Sequence, residues 1–515
     1  MPEIRSPILR SLLIVLFTTL AGYYLSVMVI YGSYPGYLDH GEPVIAAAAW
    51  KLLDGQPVYP PFDGPLFTSN AYGPVLFALN AISFAIFGGS VAASKIVGLF
   101  SASIAVLLTG FAVARGSILR GMAGATFMIA MALLYTPNSF WNRPESLLCA
   151  LVAAGLFVFC RSESRDAGRW LADAFLLGIL GGLATGLKIY GAIFFIPLGL
   201  AFAISRRSLV PIFVMASSGL AIVLLPFAFS VFPLSGYLSW FELVSEKPFS
   251  GEMFTRAVRY GIFFILPPFA YILVLTNFAA ENEAEPHSDK WVTKYCSVVY
   301  GVSCLIGIAA CMYLAARPGA GGYYSLPFAP LISDMIVRGT ECAAKRVRRY
   351  FIYFGGALIV AALIVSVPIQ KRFHRAIQWN HAEAIQSDLE EIVQKYSTKS
   401  IQMGVGESIV GYKNAIYKTV LVFAGHPYTI DFGIMMETSM MGIPVPQHFI
   451  DGFARCDTDI WLIPVGEFPF SIEGYYYNRV FDVMFRKAFL NAYDLIESTK
   501  FFDVWSCFES GGDGR

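Results

Sequence analysis

Apolar runs long enough to cross a lipid bilayer recur over most of the chain up to residue 370. A membrane-spanning helix needs about 20 mainly apolar residues, and these runs are roughly 17–25 residues long. Of the 515 residues, 56% are hydrophobic and only 14% are charged, which excludes an ordinary soluble globular protein. The pattern predicts a polytopic α-helical membrane protein with about 11–12 transmembrane helices. The predicted spans are 8–30, 74–113 as one or two helices, 119–135, 146–161, 173–187, 189–205, 209–232, 259–279, 295–315, 323–337 and 350–367.

Basic residues between the spans predict which loops face the cytoplasm, because Lys and Arg concentrate on that side. The strongest cluster lies at 338–349, and smaller groups precede the first span and follow residues 114, 160 and 205. The first apolar run lacks a small-residue cleavage site and is expected to stay as a helix. We therefore expect a multi-pass protein of the bacterial inner membrane with an extracytoplasmic C-terminal region. The segments predicted to lie outside are 32–73, which is the first external loop, 136–145, 233–258, 316–322 and the chain after 368.

One apolar stretch allows two interpretations. Residues 74–88 and 91–113 look like two helices, yet the basic residues allow only an odd number of crossings between Tyr72 and Arg115. Either 74–88 is a half-inserted helix, or the charge rule fails at Arg115 and Arg120. The larger basic cluster favours the first alternative and about eleven full crossings.

The composition changes near Pro368, which predicts a transmembrane domain at 1–368 and a small extracytoplasmic α/β domain at 369–515. Residues 376–396 have the spacing of an amphipathic helix. The short apolar runs SIQMGV, YTIDFG and IWLIPV then alternate with helical patterns. We predict strands at these runs. Acids lie beside them, in IDF at 430–432, CDTD at 456–459 and VGEFPF at 465–470, and ordinary surface loops are the favoured interpretation of these acids.

Two cysteines, Cys456 and Cys507, lie in this polar C-terminal region. In an oxidising compartment they could form a disulfide, and two free buried thiols are the alternative. No CxxC or Cys/His spacing in the chain indicates a metal site.

A short acidic stretch, PGYLDHGE at 35–42, directly follows the first apolar run. Asp39 and Glu42 therefore lie at the mouth of a membrane span, where a carboxylate is costly unless it has a task. The alternative is that both acids only start the helix at 43–53, since an acid is favourable beside a helix N-terminus.

Further charged residues fall in the segments predicted to lie outside. Arg143 and Glu145 stand in TPNSFWNRPES, Lys188 interrupts an apolar hairpin, and Arg317 precedes GAGGYYSLPFAP. Carboxylates partly withdrawn from water can act as bases near neutral pH, and cations can stabilise a departing phosphate. Together they predict a site for an anionic lipid headgroup with acid–base chemistry. Snorkelling to headgroups is the alternative for Arg143, and Lys188 has a similar one.

Several of these motifs together resemble a known superfamily. The first-loop acids, the helix ending in LLDGQPVY, YGP at 72–74, RPES at 143–146 and GGYYSLPFAP at 321–330 resemble the GT-C glycosyltransferases. The resemblance spans roughly residues 10–340, and the most similar branch contains protein mannosyltransferases and lipid A aminoarabinose transferases. It implies an inverting enzyme that moves a sugar from a polyprenyl-phosphate carrier to an extracytoplasmic glycan, lipid or protein. The implied partners are that donor, that acceptor and the bilayer; the net charge of +1 gives no sign of nucleic-acid binding.

The resemblance also implies roles for individual residues. Glu42 would be the general base with Asp39 as its partner, although the motif does not separate the two. Lys188 and Arg317 would hold the donor phosphate. The residues that would orient the acceptor or the site are Arg143, Glu145, Tyr72 and Tyr324.

The resemblance does not require a resident cofactor here. Related enzymes often have two adjacent first-loop acids, whereas His40 and Gly41 separate Asp39 from Glu42. A divalent cation held by Asp39, Glu42 and Glu145 stays an alternative.

A rival function is that of a secondary transporter or lipid flippase. Transporters place charged groups near the bilayer midplane, on broken helices related by internal repeats. This sequence instead keeps its charges in loops and has no obvious repeat.

Overall fold

The computed structural model describes residues 7–68, 71–163, 169–277, 287–378, 381–408, 415–473 and 480–508, without the side chains of 287–293 and 345–346. The chain divides into two compact units. Unit 1 comprises Met1–Gly32, Val97–Pro226 and Pro248–Arg375, and unit 2 comprises Ser33–Ile96, Phe227–Lys247 and Ala376–Arg515.

Helices dominate the part of the chain before residue 379. They are α1 (Pro7–Ser33), α2 (Gly41–Leu53), α3 (Pro74–Phe87), α4 (Val91–Ala114), α5 (Ile118–Leu134), α6 (Pro144–Glu163), α7 (Trp170–Leu187), α8 (Ile196–Ser205), α9 (Val210–Leu224), α10 (Leu234–Ser245), α11 (Gly251–Asn277), α12 (His287–Leu314), α13 (Ala329–Cys342) and α14 (Lys345–Gln378). Short 3-10 helices lie at Ile189–Phe194, Leu225–Ala228 and Gly322–Phe328.

Length and composition identify the helices that can cross a membrane. In the described residues there are eight such helices, formed by α1, α4, α6, α7, α9 with its 3-10 extension, α11, α12 and α14. Three shorter apolar helices lie at Pro74–Phe87, Ile118–Leu134 and Ile189–Ser205. The predicted polytopic α-helical fold is confirmed.

The predicted span 323–337 has an unusual build. Its first part, Gly322–Phe328, is a 3-10 helix, and α13 follows directly. Pro327 and Pro330 explain the change, because a proline has no N–H to donate to the preceding turn. Tyr323 contacts Arg143, just before α6, and Arg338 pairs with Glu163 at the end of α6. The segment 322–342 therefore runs beside α6 over the whole length of that helix.

The ambiguous stretch at 74–113 forms two helices, α3 and α4. With 14 residues, α3 is about 21 Å long and does not reach across a hydrocarbon core of about 30 Å. It ends at Gly88, whose φ of +78° a residue with a side chain rarely adopts. All of α3 belongs to unit 2 together with the first loop, which favours the half-inserted alternative.

The C-terminal part of unit 2 is built on a four-stranded mixed sheet. Its strands are β1 (Ile401–Met403), β2 (Ile460–Pro464), β3 (Tyr493–Ser498) and β4 (Phe502–Cys507), in the order β1-β2-β4-β3. β1 pairs with β2 in parallel, and the other two pairings are antiparallel. The helices of this part are α15 (Ala382–Lys395), α16 (Lys418–Phe423), α17 (Phe432–Ser439), α18 (Gln447–Ala454) and α19 (Val483–Ala492).

The sequence predicted two of these four strands. SIQMGV contains β1, IWLIPV forms β2, and the amphipathic helix predicted at 376–396 is α15 with the end of α14. The prediction of a strand at YTIDFG is wrong, because only Ile430 bridges to a neighbour and Asp431 already caps α17. An acid that accepts the first N–H groups of a helix favours that helix over a strand.

The first loop belongs to the same unit as the sheet. The amide N–H of Phe67 donates to Thr429 O at 2.7 Å, and Asp431 N–H donates to Phe67 O at 3.0 Å. The Trp50 ring on α2 lies 5.7 Å from Phe423 on α16. The C-terminal segment thus braces the first loop, while the predicted boundary at 368–369 stays a prediction.

Cys456 and Cys507 form a disulfide. Their Cα atoms are 5.8 Å apart, a usual separation for this bond. The disulfide joins the turn after α18 to the end of β4. Of the two alternatives for these cysteines, the structure therefore has the disulfide and not two free thiols.

Candidate active site

The predicted site residue Glu145 is buried in unit 1 against a lysine. Its Oε1 accepts a hydrogen bond of 2.6 Å from Lys188 Nζ, and its Oε2 accepts one of 3.2 Å from Trp141 Nε1. The residues Glu145 and Lys188 are 1% and 4% exposed. Helix α6 begins at Pro144, which suits a first helical position, and this sets Glu145 in the first turn.

Aromatic rings enclose the two cations beside Glu145. The Arg143 guanidinium lies 4.6 Å from the Trp141 ring centre and donates to the Tyr323 hydroxyl at 2.9 Å. Lys188 Nζ lies 4.2 Å from the centre of the Tyr324 ring. We call the whole group the Glu145 cluster; its members are Trp141, Arg143, Glu145, Lys188, Tyr190, Tyr323 and Tyr324.

The Glu145 cluster contains two cations and one carboxylate. Arg143 Nε lies 4.0 Å from Glu145 Oε2, so this carboxylate faces both cations. Arg and Lys side chains carry several donor hydrogens and form strong, charge-assisted hydrogen bonds with anions. The cluster is therefore electrostatically suited to a phosphate.

Arg317 lies in the turn between α12 and the 3-10 helix that carries Tyr323 and Tyr324. This turn leads directly into the Glu145 cluster, so Arg317 lies at the same end of unit 1. Its backbone carbonyl accepts a hydrogen bond from Ala320 N–H. Its role in phosphate binding stays a prediction.

A second charged group in unit 1 lies at the other end of α6. Asp334 accepts hydrogen bonds from Arg115 at 2.8 Å and from Arg338 at 2.6 Å, and Arg338 also holds Glu163. Glu341 pairs with Arg120 at 2.8 Å, so three acids balance three arginines. Nothing in the sequence indicated this network.

The two charged groups of unit 1 are separated by a full helix. Glu145 and Glu163 are 18 positions apart on α6, which corresponds to about 27 Å along its axis. That is close to the thickness of a bilayer core, about 30 Å. Charge is thus concentrated at both ends of unit 1, as the predicted loops require.

In unit 2, Glu42 lies in the first turn of α2 and is 0% exposed. Its Oε2 accepts a hydrogen bond of 3.0 Å from the Leu38 amide, which folds the loop back onto the helix start. Glu42 also interacts electrostatically with Lys95 on α4, and Lys95 is likewise 0% exposed. A buried carboxylate is tolerated when it has partners of this kind.

Lys95 is a buried cation that the sequence analysis did not select. Its Nζ donates to Tyr34 O at 2.6 Å and lies 5.1 Å from the Tyr34 ring centre. The available signal was that Lys95 is the single charged residue in the apolar run 91–114. An ionisable residue inside such a run indicates a function or a specific partner.

Asp39 differs from Glu42 in exposure. Its side chain is 20% exposed, its Oδ1 accepts the Gly41 amide at 2.8 Å, and its Oδ2 lies 3.8 Å from His40 Nδ1. Both acids accept hydrogen bonds from backbone amides at the start of α2. The helix-starting alternative thus describes part of what these acids do.

The remaining predicted site residue, Tyr72, lies in unit 2 just before α3. Its carbonyl accepts a hydrogen bond of 2.6 Å from the Tyr59 hydroxyl. Burial raises the pKa of Tyr59, so this hydroxyl stays protonated and keeps the loop turn closed.

The metal alternative can be tested on the contacts of Glu145 and Glu42. Among the described residues, no group of three or more His, Cys, Asp or Glu side chains is placed to hold a metal ion. Glu145 is held by Lys188, and Glu42 by an amide and the charge of Lys95. Because a divalent cation prefers several uncommitted oxygen ligands, these residues do not fit one, and no step is derived through a metal.

Structural comparison identifies proteins with the same architecture. ArnT from Cupriavidus metallidurans bound to undecaprenyl phosphate matches with a TM-score of 0.58 at 11% identity, over 96% of this chain and 99% of that one. The apo state of the same protein matches with a TM-score of 0.51 at 11% identity, over 88% and 93%. The chain has the GT-C fold.

The resemblance to the GT-C superfamily is thus confirmed at the level of the fold. An identity of 11% shows the fold alone. Sequence comparison with protein-family models and with curated proteins gives no match.

Proposed function

We propose that the chain is an inverting membrane glycosyltransferase that takes a sugar from a polyprenyl-phosphate carrier and gives it to an extracytoplasmic glycan, lipid or protein. The observation that carries this proposal is the buried Glu145 cluster, which brings Arg143 and Lys188 together at one end of the helices of unit 1. The neighbour with the same fold was crystallised with undecaprenyl phosphate, which is a polyprenyl phosphate.

The Glu145 cluster is proposed to receive the phosphate as it leaves. Lys188 has three donor hydrogens and Arg143 has five, so each can serve its protein partner and a phosphate oxygen together. Arg317 is the third proposed phosphate ligand. Stabilising the developing charge in a site without bulk water supplies about 3–4 kcal/mol per donor.

Asp39 is proposed as the general base. The acceptor hydroxyl oxygen attacks the anomeric carbon while the bond from that carbon to the phosphate oxygen breaks, and Asp39 takes the hydroxyl proton. Its partly exposed side chain can meet an acceptor, whereas Glu42 is buried beside Lys95 and holds the loop. General base catalysis contributes about 10²–10⁴-fold.

Glu145, Tyr72 and Tyr324 are proposed to shape the site rather than to react. Glu145 fixes the Lys188 ammonium, Tyr324 packs its ring against that ammonium, and Tyr72 closes the first loop. Each acts through its contact with another group.

The proposed orientation has unit 2 outside the cytoplasm of a bacterium. The Cys456–Cys507 disulfide supports it, because such bonds persist in oxidising compartments. The basic stretch 338–349 in unit 1 also supports this orientation, because Lys and Arg concentrate in loops that face the cytoplasm.

The rival function, a transporter or flippase, has less support. Glu145 and Lys188 lie at the ends of α6 and α7, and not in the middle of a span. Transport sites are usually formed near the midplane by discontinuous helices.

The test is transfer of radiolabelled sugar from polyprenyl-phosphate donors in membranes that contain the chain. Asp39→Asn is expected to lower the transfer rate by about 10²–10⁴-fold. Asp54→Asn is the matched control, since Asp54 is an exposed acid of the same loop. Full activity of Asp39→Asn would contradict the base assignment, and no transfer by the folded wild-type chain from any donor would contradict the function.

A further inference from the structure

Unit 2 contains a cavity of about 400 Å³ that none of the proposed catalytic residues lines. It lies between strands β1, β2 and β3, helix α18 and residues 63–65 of the first loop. Its volume falls in the range of about 300–1,000 Å³ typical of small-molecule sites.

Four aromatic side chains form the apolar part of the lining. Phe449 and Phe453 come from α18, Trp461 from β2 and Tyr493 from β3. The Phe453 ring centre lies 5.9 Å from that of Trp461 and 5.9 Å from that of Tyr493, and both pairs meet edge to face, so these three rings form an apolar wall. A sugar ring has an apolar C–H face that packs on such a wall while its hydroxyls point elsewhere.

A fixed chain of hydrogen bonds forms the polar part of the lining. Gln402 Nε2 donates to Thr458 Oγ1 at 2.6 Å, and Thr429 Oγ1 donates to Gln402 Oε1 at 2.8 Å. Amide and hydroxyl groups offer both donors and acceptors. This mixture complements sugar hydroxyls, each of which can donate one bond and accept others.

His448 gives the cavity an unsatisfied polar atom. Its Nε2 is buried, and among the described residues it has no hydrogen-bond partner. Burial, and then the neighbouring Arg455 cation, lower the pKa of His448 below its usual 6.5, so the ring is neutral at pH 7. A buried polar atom without a partner is unfavourable, and a ligand hydroxyl can satisfy it.

The charges around the cavity exclude one class of ligand. Asp63 and Asp457 carry two negative charges against the single positive charge of Arg455, which pairs with Asp457 at 2.7 Å. The resulting net negative charge disfavours phosphorylated or sulfated ligands.

We infer that this cavity binds an uncharged sugar ring, and that this ring belongs to the glycan of the acceptor. The second half of the inference rests on the proposed function, whereas binding of the sugar does not. The segment 63–65 brings the first loop to the cavity, so the loop that carries the proposed base also contacts the bound sugar.

The experiment measures binding of neutral oligosaccharides to the full chain in lipid nanodiscs without any donor. Saturation-transfer NMR with a panel of glucose, galactose, mannose and N-acetylhexosamine oligomers detects weak binding. We expect saturable binding to wild type, weakened roughly five- to tenfold by His448→Ala, since one hydrogen bond is lost.

His426→Ala is the matched control. His426 is a second histidine of unit 2 whose buried Nε2 has no partner in the described part of the chain, but it does not line the cavity. Its substitution is expected to leave binding unchanged. Equal weakening by both variants would overturn the cavity assignment, as would the absence of saturable binding by folded wild type.

Three further outcomes test the two halves of this inference and separate it from the proposed function. Tighter binding of a phosphorylated sugar than of its neutral form would overturn the uncharged class. Sugar binding that depends on His448, in a chain that transfers nothing from any polyprenyl-phosphate donor, would support the cavity and contradict the enzyme. If His448→Ala transfers sugar to a glycan acceptor at the wild-type level, the cavity does not bind the acceptor. That result would overturn the inference that the bound sugar belongs to the acceptor glycan.

Discussion

At the scale of residues, the molecule is marked by buried ion pairs such as Glu145–Lys188. Its Oε1–Nζ distance is 2.6 Å, and both side chains are almost completely buried. Removing one partner of such a pair costs about 3–5 kcal/mol, because the other charge is left buried and unpaired. The pair therefore contributes to stability as well as to the proposed phosphate site.

We predict that Glu145→Gln and Lys188→Met each lower the unfolding temperature strongly, and that the double variant recovers part of the loss. The reason is that the double variant leaves neither member of this pair buried without the other, and such coupling amounts to about 0.5–3 kcal/mol. Thermal unfolding in detergent measures it. The exposed pair Arg256–Glu252 is the control, expected to be worth about 0–1 kcal/mol. Additive losses at Glu145 and Lys188 would contradict the pairing.

A second prediction separates the two first-loop acids. Glu42→Gln removes the charge beside buried Lys95, so we expect a loss of folded protein, and Lys95→Met in the same chain should restore it. Asp39→Asn should leave the amount of folded protein unchanged. Size-exclusion profiles of the solubilised protein measure both effects. Normal folding of Glu42→Gln alone would show that Lys95 does not depend on it.

At the scale of elements, the ends of helices are held by polar contacts between distant parts of the chain. Arg115 follows α4, and its partner Asp334 lies on α13, 219 positions later. Hydropathy identifies each helix separately, because it is a local property. The pairing of their ends depends on the packed structure, so the sequence did not reveal this network.

We predict that Asp334→Asn destabilises unit 1 by about 3–5 kcal/mol, since it leaves Arg115 and Arg338 facing each other without their shared acid. Glu341→Gln is the control at the edge of the same network. Its side chain is partly exposed, and a loss of about 1 kcal/mol or less is expected. Thermal unfolding of both variants gives the comparison, and equal losses would contradict a buried role for Asp334.

The cap of α17 gives a prediction about pH. Burial alone would raise the pKa of Asp431, but Lys418, the Tyr428 hydroxyl and the Ile434 amide outweigh it and hold the pKa below its usual 3.8. A group with a lowered native pKa stabilises fully above its unfolded pKa, and the effect is lost as the pH falls through the native value.

We therefore expect Asp431→Asn to destabilise the chain at pH 7 and to flatten the decline in unfolding temperature below about pH 4. Circular dichroism melts between about pH 2.5 and 7 measure the change. Asp457→Asn, at an exposed pair with Arg455, is the control and should shift the melt little. An unchanged acid limb in Asp431→Asn would contradict the assignment.

At the scale of the whole molecule, hydropathy and charge predicted the membrane fold because both are summed over long segments. Residues 74–88 stayed ambiguous since α3 is apolar throughout yet only 14 residues long. Strands β3 and β4 were missed because YDLIES and FDVWSC alternate weakly between polar and apolar residues. Of the candidate site, the sequence selected Arg143, Glu145, Lys188 and Tyr324. It missed the rings of Trp141, Tyr190 and Tyr323, which only the packed structure brings to the cluster.

The final prediction concerns orientation in the membrane. After reduction, a membrane-impermeant maleimide should label Cys456 and Cys507 in intact spheroplasts, because unit 2 is proposed to lie outside. A cysteine introduced by Arg207→Cys, in the turn after α8, should react only after the membrane is opened. The reverse pattern would invert the proposed topology.

The Glu145–Lys188 pair also has a consequence for biogenesis. Each residue alone would carry an uncompensated charge to the membrane edge as its helix leaves the translocon, which disfavours insertion. Since the two residues are 43 positions apart on consecutive helices, α6 and α7 can neutralise each other's charge as a hairpin during synthesis. The chain would then enter the bilayer two helices at a time at this point, and a variant that lacks one partner would be inserted less efficiently.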